Sequence, residues 1–82
     1  MKILRFYAPT CMPCKMLGKS LEALENVEII SIDATEDIKK VDEYEVCTTP
    51  TLIFLDDENK EVDRIVGMTT MKKVEDILNR NV

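Results

Sequence analysis

Cys11 and Cys14 stand in the run Cys11-Met12-Pro13-Cys14, and a third cysteine, Cys47, lies alone. Thiolates are nucleophiles and metal ligands, so this spacing calls either for disulfide exchange or for a metal site. Exchange needs one activated sulfur and a second within reach of it. A cysteine at a helix N-terminus meets the first need, because unpaired backbone N–H groups and the helix dipole stabilise negative charge there. A cysteine three residues on lies one turn inside on the same face, close enough to bond the first and better shielded. Pro13 between them has no N–H to leave unpaired, and its fixed φ favours a helical start. A metal is the weaker reading. Structural zinc takes four ligands, whereas the chain has three cysteines and no His, so a carboxylate would have to complete the set. A dimer bridged by an iron–sulfur cluster is the remaining thiolate alternative.

The elements that must position the pair follow from hydropathy period. Residues 3–7 read as a strand, ended by Ala8-Pro9-Thr10. A helix then runs from Pro13, with Leu17, Leu21 and Leu24 on one face. Gly18 inside it costs about 1 kcal/mol against Ala, which marks either close packing or a tolerated weakness. Residues 27–32 form a second strand, nearly continuous in apolar residues, as a strand covered on both faces should be. Thr35 offers the N-cap of a second helix that runs to about Tyr44 and buries Ile38 and Val41. Residues 51–55 and 61–66, joined by an acidic turn, read as a hairpin. Gly67 ends it, Thr69 or Thr70 caps a last helix, and Met71, Val74, Ile77 and Leu78 mark that helix's buried stripe. The order βαβαββα predicts an α/β fold, a four-stranded mixed sheet with helices on both faces. Its first three strands are expected to run parallel through right-handed crossovers, and the hairpin adds an antiparallel fourth.

At 82 residues the chain is a single domain, 1–82, with no repeat or linker. Hydrophobic residues at 45% against 33% charged support a folded core. With only Phe6, Tyr7, Tyr44 and Phe54 as aromatics, that core is built from Ile, Leu, Val and Met. A net charge of −5 excludes a sequence-independent grip on nucleic acid or on an anionic membrane. The longest uncharged apolar stretch, 46–55, contains Pro50 and falls well short of the ~20 residues a membrane helix needs. Arg5 interrupts any apolar leader, so no signal peptide is expected, and the odd cysteine count argues against a disulfide-stapled secreted scaffold. A cytoplasmic protein is the expectation.

The run Phe6-Tyr7-Ala8-Pro9-Thr10-Cys11-Met12-Pro13-Cys14-Lys15, followed by Thr49-Pro50-Thr51 and then Val66-Gly67, resembles the thioredoxin superfamily over essentially the whole chain. The likeness starts at that family's central strand, and in size the chain is similar to glutaredoxins and short thioredoxins. The resemblance implies a dithiol–disulfide oxidoreductase with no bound cofactor and no metal. Cys11 would attack a target disulfide and Cys14 would resolve the mixed disulfide. The family's matching proline is cis and faces the active-site disulfide, which gives Pro50 that role. Thr49 would offer backbone bonds to the substrate chain, Gly67 would let that chain approach, and Met12 and Met68 would border the groove. Protein disulfides as substrates, a thioredoxin-reductase-type electron donor, a place in electron transport and cell redox homeostasis, and a monomeric state are implied likewise.

Two positions depart from the pattern. Arg5 stands where many thioredoxins carry a buried acid, and Ile29 or Ile30 replaces that acid's lysine partner. Arg5 either points under the site, where it would stabilise thiolate, or lies on an edge or turns out to pair with an acid such as Glu28. Thr10 replaces the usual Trp before the first cysteine, which removes an apolar wall and a docking surface. A glutathione-dependent, glutaredoxin-like enzyme is the main rival. Against it, Gly67 is followed by Met68-Thr69-Thr70 rather than by the Gly and Asp that hold glutathione in that family. Cys47 reads first as a small buried hydrophobe, and second as an accessory thiol near Pro50.

Overall fold

The computed structural model describes residues 1–81. Its elements are β1 (Lys2–Tyr7), α1 (Met12–Leu21), β2 (Glu28–Asp33), α2 (Ile38–Glu43), β3 (Thr51–Leu55), β4 (Glu61–Val66) and α3 (Met71–Arg80). The strands form one mixed sheet in the order β2-β1-β3-β4. Alternation along β1 divides the core. Ile3 turns to the face covered by Leu17 and Leu21 of α1 and by Val74 and Ile77 of α3. Leu4 and Phe6 turn to the other, where Val41 and Tyr44 pack beside Ile32, Ile53 and Leu55. All of β3 is buried, because it has a strand on each side and side chains over both faces.

The direction of β3 corrects the sequence expectation. β1 and β2 pair parallel, but β3 runs antiparallel to β1, Phe6 opposite Thr51, and β4 antiparallel to β3. Length is the reason. The six residues of α2 span only about 9 Å, at 1.5 Å per residue, which cannot carry the chain back along a strand of ~20 Å. The segment between β2 and β3 therefore leaves and re-enters the sheet at the same end.

The second helix is also shorter than expected. Asp33 captures both the N–H and the hydroxyl of Thr35, at 2.9 and 2.6 Å, so Thr35 does not cap; Asp37 does, accepting from the Lys40 N–H at 3.1 Å. Ile38, expected to be buried, is 56% exposed at the first position of so short a helix. β2 is likewise less covered than its apolar sequence led us to expect. It hydrogen-bonds to β1 alone, and only Ile32 of its residues is buried. Finally, α1 stops at Leu21, and Leu24 reaches the core from the turn that follows.

Candidate active site

Register places the site. The C-terminal ends of β1, β2 and β4 and the start of β3 lie at one end of the sheet, since Thr51 pairs with both Phe6 and Val66 while Tyr7 pairs with Asp33. Three loops open from that end. They carry Cys11, the Thr48–Pro50 turn and Gly67. The Gly67 N–H donates to the Pro50 carbonyl at 2.8 Å, tying two of the loops together.

Cys11 is the N-cap of α1, with extended φ and ψ of −88° and 103°. Its Sγ accepts the Cys14 N–H at 3.3 Å, so the sulfur takes the place of a capping oxygen at the positive end of the helix. Pro13 sits in the first turn, where a missing N–H costs nothing. Cys11 and Cys14 are joined as a disulfide, with Cα atoms 5.2 Å apart. The two sulfurs differ in access: Cys14 is fully buried and Cys11 is half-buried. A helical N-cap that must bond its own N3 residue imposes this difference, because the cap lies outside the helix and its partner lies on the face packed against the sheet.

The residues expected to line a substrate groove lie at this end of the sheet. The Thr49–Pro50 bond is cis; Pro50 is buried and Thr49 half-buried. Gly67 has φ +87°, a conformation that L side chains rarely adopt, and a Cβ built there would meet nothing within 4 Å. Met12 and Met68 are 63% and 57% exposed, with Met16 and Val66 comparably open. Cys47, read first as buried, is exposed on the loop before Pro50, where it shares a pocket with Ala8, Ala34, Val41 and Thr49. Among the described residues no three acidic or thiol side chains cluster as a metal would require.

Sequence reasoning left Arg5 open, and neither alternative describes it fully. It forms no ion pair with Glu28. Its Nη1 donates to the Cys14 carbonyl oxygen at 3.2 Å, while Nε and Nη2 donate to Ser31 Oγ at 3.1 and 2.9 Å. The Arg5 Cζ lies 4.6 Å from the centroid of the Tyr7 ring. Gly18 is explained by the same side chain, because a Cβ there would come within 3.0 Å of Cζ and Nη1 of Arg5. Ser31, which holds this arrangement, went unnoticed in the sequence; its signal is the strand register that sets it directly across from Arg5.

A cysteine pair with one sulfur buried and the other half-buried at a strand-to-helix junction, on a mixed sheet with helices on both faces, defines a thioredoxin-fold dithiol–disulfide centre. Residues 1–80 match the family model described as Thioredoxin. The thioredoxin of Staphylococcus epidermidis is 31% identical over 86 aligned positions, covering 99% of this chain and 82% of its own. That of Chlamydia trachomatis is 40% identical over 70 positions, covering 80% and 68%. Thioredoxin 1 from the thermophilic eubacterium Thermosipho africanus superposes with a TM-score of 0.88 at 28% identity, covering 98% of this chain and 92% of that one. The chain belongs to the thioredoxin family, and it is a dithiol–disulfide oxidoreductase.

Proposed function

We propose that this protein reduces disulfides in other proteins, with Cys11 as nucleophile and Cys14 as resolving thiol. The observation that carries the assignment is the difference in access: the half-buried Cys11 can meet a second chain, and the fully buried Cys14 can meet only Cys11. In the reduced protein the Cys11 thiolate, held by the helix N-terminus and by the Cys14 N–H, attacks one sulfur of a target disulfide. The target S–S bond breaks, its second sulfur leaves as a thiolate that takes a proton from water, and a mixed disulfide to Cys11 forms. Cys14 then loses its proton and attacks the Cys11 sulfur. The target departs with both electrons, and the Cys11–Cys14 bond is restored.

Pro13 fixes the turn that holds the pair. Thr49, Pro50 and Gly67 form the floor of the groove over which the target chain passes, and Met12 and Met68 border it with pliable apolar surface. The groove suits an extended peptide, since Gly67 leaves its backbone side open. A thioredoxin-reductase-type enzyme returns the electrons. The chain acts as one domain, 1–82, a monomeric electron carrier of the cytoplasm; no helix among the described residues is long and apolar enough to cross a membrane. The glutathione-dependent alternative keeps only the length, Tyr7 and Thr49 in its favour, against a family match to thioredoxins.

Trapping tests the assignment. Reduced Cys14→Ser, mixed with a disulfide-bonded protein substrate, is expected to accumulate a covalent adduct that dithiothreitol releases. Cys11→Ser is expected to form none. An adduct on Cys14 in the Cys11→Ser variant would reverse the roles. Turnover with a thioredoxin reductase and NADPH against turnover with glutathione identifies the electron donor.

A further inference from the structure

Arg5 is a half-buried cation without a carboxylate partner. Among the described residues no acidic oxygen lies within 4.0 Å of its guanidinium; every one of its hydrogen bonds goes to a neutral acceptor, the Cys14 carbonyl or Ser31 Oγ. The charged and titratable side chains that share a pocket with it are Tyr7 of β1, Lys15 and Lys19 of α1 and Glu22 just past its end, two cations against one carboxylate. A guanidinium held partly out of water gains from a nearby anion more than a fully solvated one does. In the oxidised protein Glu22 shares the pocket, but among the described residues no carboxylate comes within 4.0 Å of the guanidinium. In the reduced protein a thiolate can form on the pair, on the residue whose own carbonyl Arg5 holds or on its partner one turn away.

We propose that Arg5 is a positioning residue whose charge finds its counter-ion only in the reduced state, so that it shifts the redox equilibrium of the Cys11–Cys14 pair toward the dithiol and makes the disulfide more oxidising. Three features fix the guanidinium for this purpose. Ser31 on the neighbouring strand takes two of its N–H groups, the Tyr7 ring supports the planar face, and Gly18 removes the side chain that would displace it. The inference rests on Cys11 and Cys14 being the redox pair. With glutathione as co-reactant, two glutathione thiols give up two electrons and two protons. One S–S bond forms between the glutathiones and the Cys11–Cys14 bond breaks. One cysteine takes a proton, the other remains a thiolate, and the second proton goes to solvent.

Equilibration of the full chain with reduced and oxidised glutathione at pH 8, near the ordinary thiol range of about 8.5, reads the effect through the fraction of alkylated thiol. Arg5→Met is expected to move the equilibrium constant toward the disulfide by three- to tenfold, about 15 to 30 mV more negative for a two-electron couple. Arg5→Lys, which keeps the charge and loses the fork, is expected to recover at least half of that shift. Should Arg5→Met not fold, Gly18→Ala carries the test, because it keeps the arginine and displaces the guanidinium; a shift of threefold or more in the same direction supports the inference. An equilibrium within twofold of wild type, beside a lowered unfolding midpoint, makes Arg5 a structural tie and overturns it. Arg5→Lys behaving like Arg5→Met overturns the role of charge. Wild type in which Cys11 and Cys14 stay closed to alkylation after dithiothreitol treatment would instead remove the assignment of the pair, and the inference with it.

Discussion

Cys11 and Cys14 share one helical turn yet meet different surroundings, and every chemical property of the site starts there. The N-cap position leaves Cys11 open to a partner while presenting its sulfur to a backbone N–H. Arg5 and Gly18 form the second pairing at this scale, a large cation accommodated by the smallest residue on the facing helix. Gly18→Ala would ordinarily gain about 1 kcal/mol in helix propensity. Here the new methyl meets a guanidinium held by three hydrogen bonds, and overpacking of that kind costs about 1 to 3 kcal/mol. Urea unfolding is expected to show a lower midpoint for Gly18→Ala; a higher one would mean that Arg5 moves aside freely.

Among the elements, α2 and the hairpin depend on one another. Arg64 of β4 donates from Nε and Nη2 to Glu61 at 2.6 and 2.7 Å, and also from Nη2 to the carbonyl of Tyr44 at 2.9 Å, just past the end of α2. The hydrogen bonds from Arg64, helped by its charge, hold the Glu61 carboxyl below the usual carboxylate range against the opposing effect of partial burial. A lowered folded-state pKa contributes stability that is present above the unfolded value, about 4.3, and is lost as pH falls through the folded one. Side chains about one-third exposed limit this contribution to under about 1 kcal/mol. The stability gap between wild type and Glu61→Gln, read from unfolding midpoints, is therefore expected at pH 6 and should close below pH 4. A gap that persists in acid would assign the effect to packing.

The whole molecule is small for its task, and its stability is concentrated in β3. Leu52, Ile53 and Phe54 are wholly buried, and Thr51, at the head of the same strand, follows the cis-proline loop of the site. The strand that fills the core thus begins directly after the Thr49–Pro50 bond. Phe54→Ala is expected to cost about 3 to 5 kcal/mol, a large part of the 5 to 15 kcal/mol that holds a typical domain together. Calorimetry should show a steep fall in melting temperature, with thiol exchange lost at the temperature where the fold is lost. Exchange that survives unfolding would show that the groove contributes nothing to the reaction.

The cysteine pair, the helix that activates it, the closing hairpin and the Thr49-Pro50 loop were legible in the sequence, because each is set by local chemistry: a proline at a helix start, a hydropathy period, a polar turn between two apolar runs. The direction of β3, the exposure of β2, Ile38 and Cys47, and the setting of Arg5 were not. Each depends on how far a connection reaches or on what a distant segment covers. A six-residue helix cannot return the chain across the sheet, an edge strand has a partner on one side only, and the guanidinium is placed by Ser31, which strand register sets opposite it, and by Gly18, which the packing of α1 sets against it. The cysteine spacing narrowed the chemistry to two sulfurs that exchange or bind metal, and the family match made it exchange. Spacing already set Cys11 outside Cys14; only the packed sheet decided how deeply Cys14 is covered and which charge lies beside the pair, because burial and field are properties of neighbours in space.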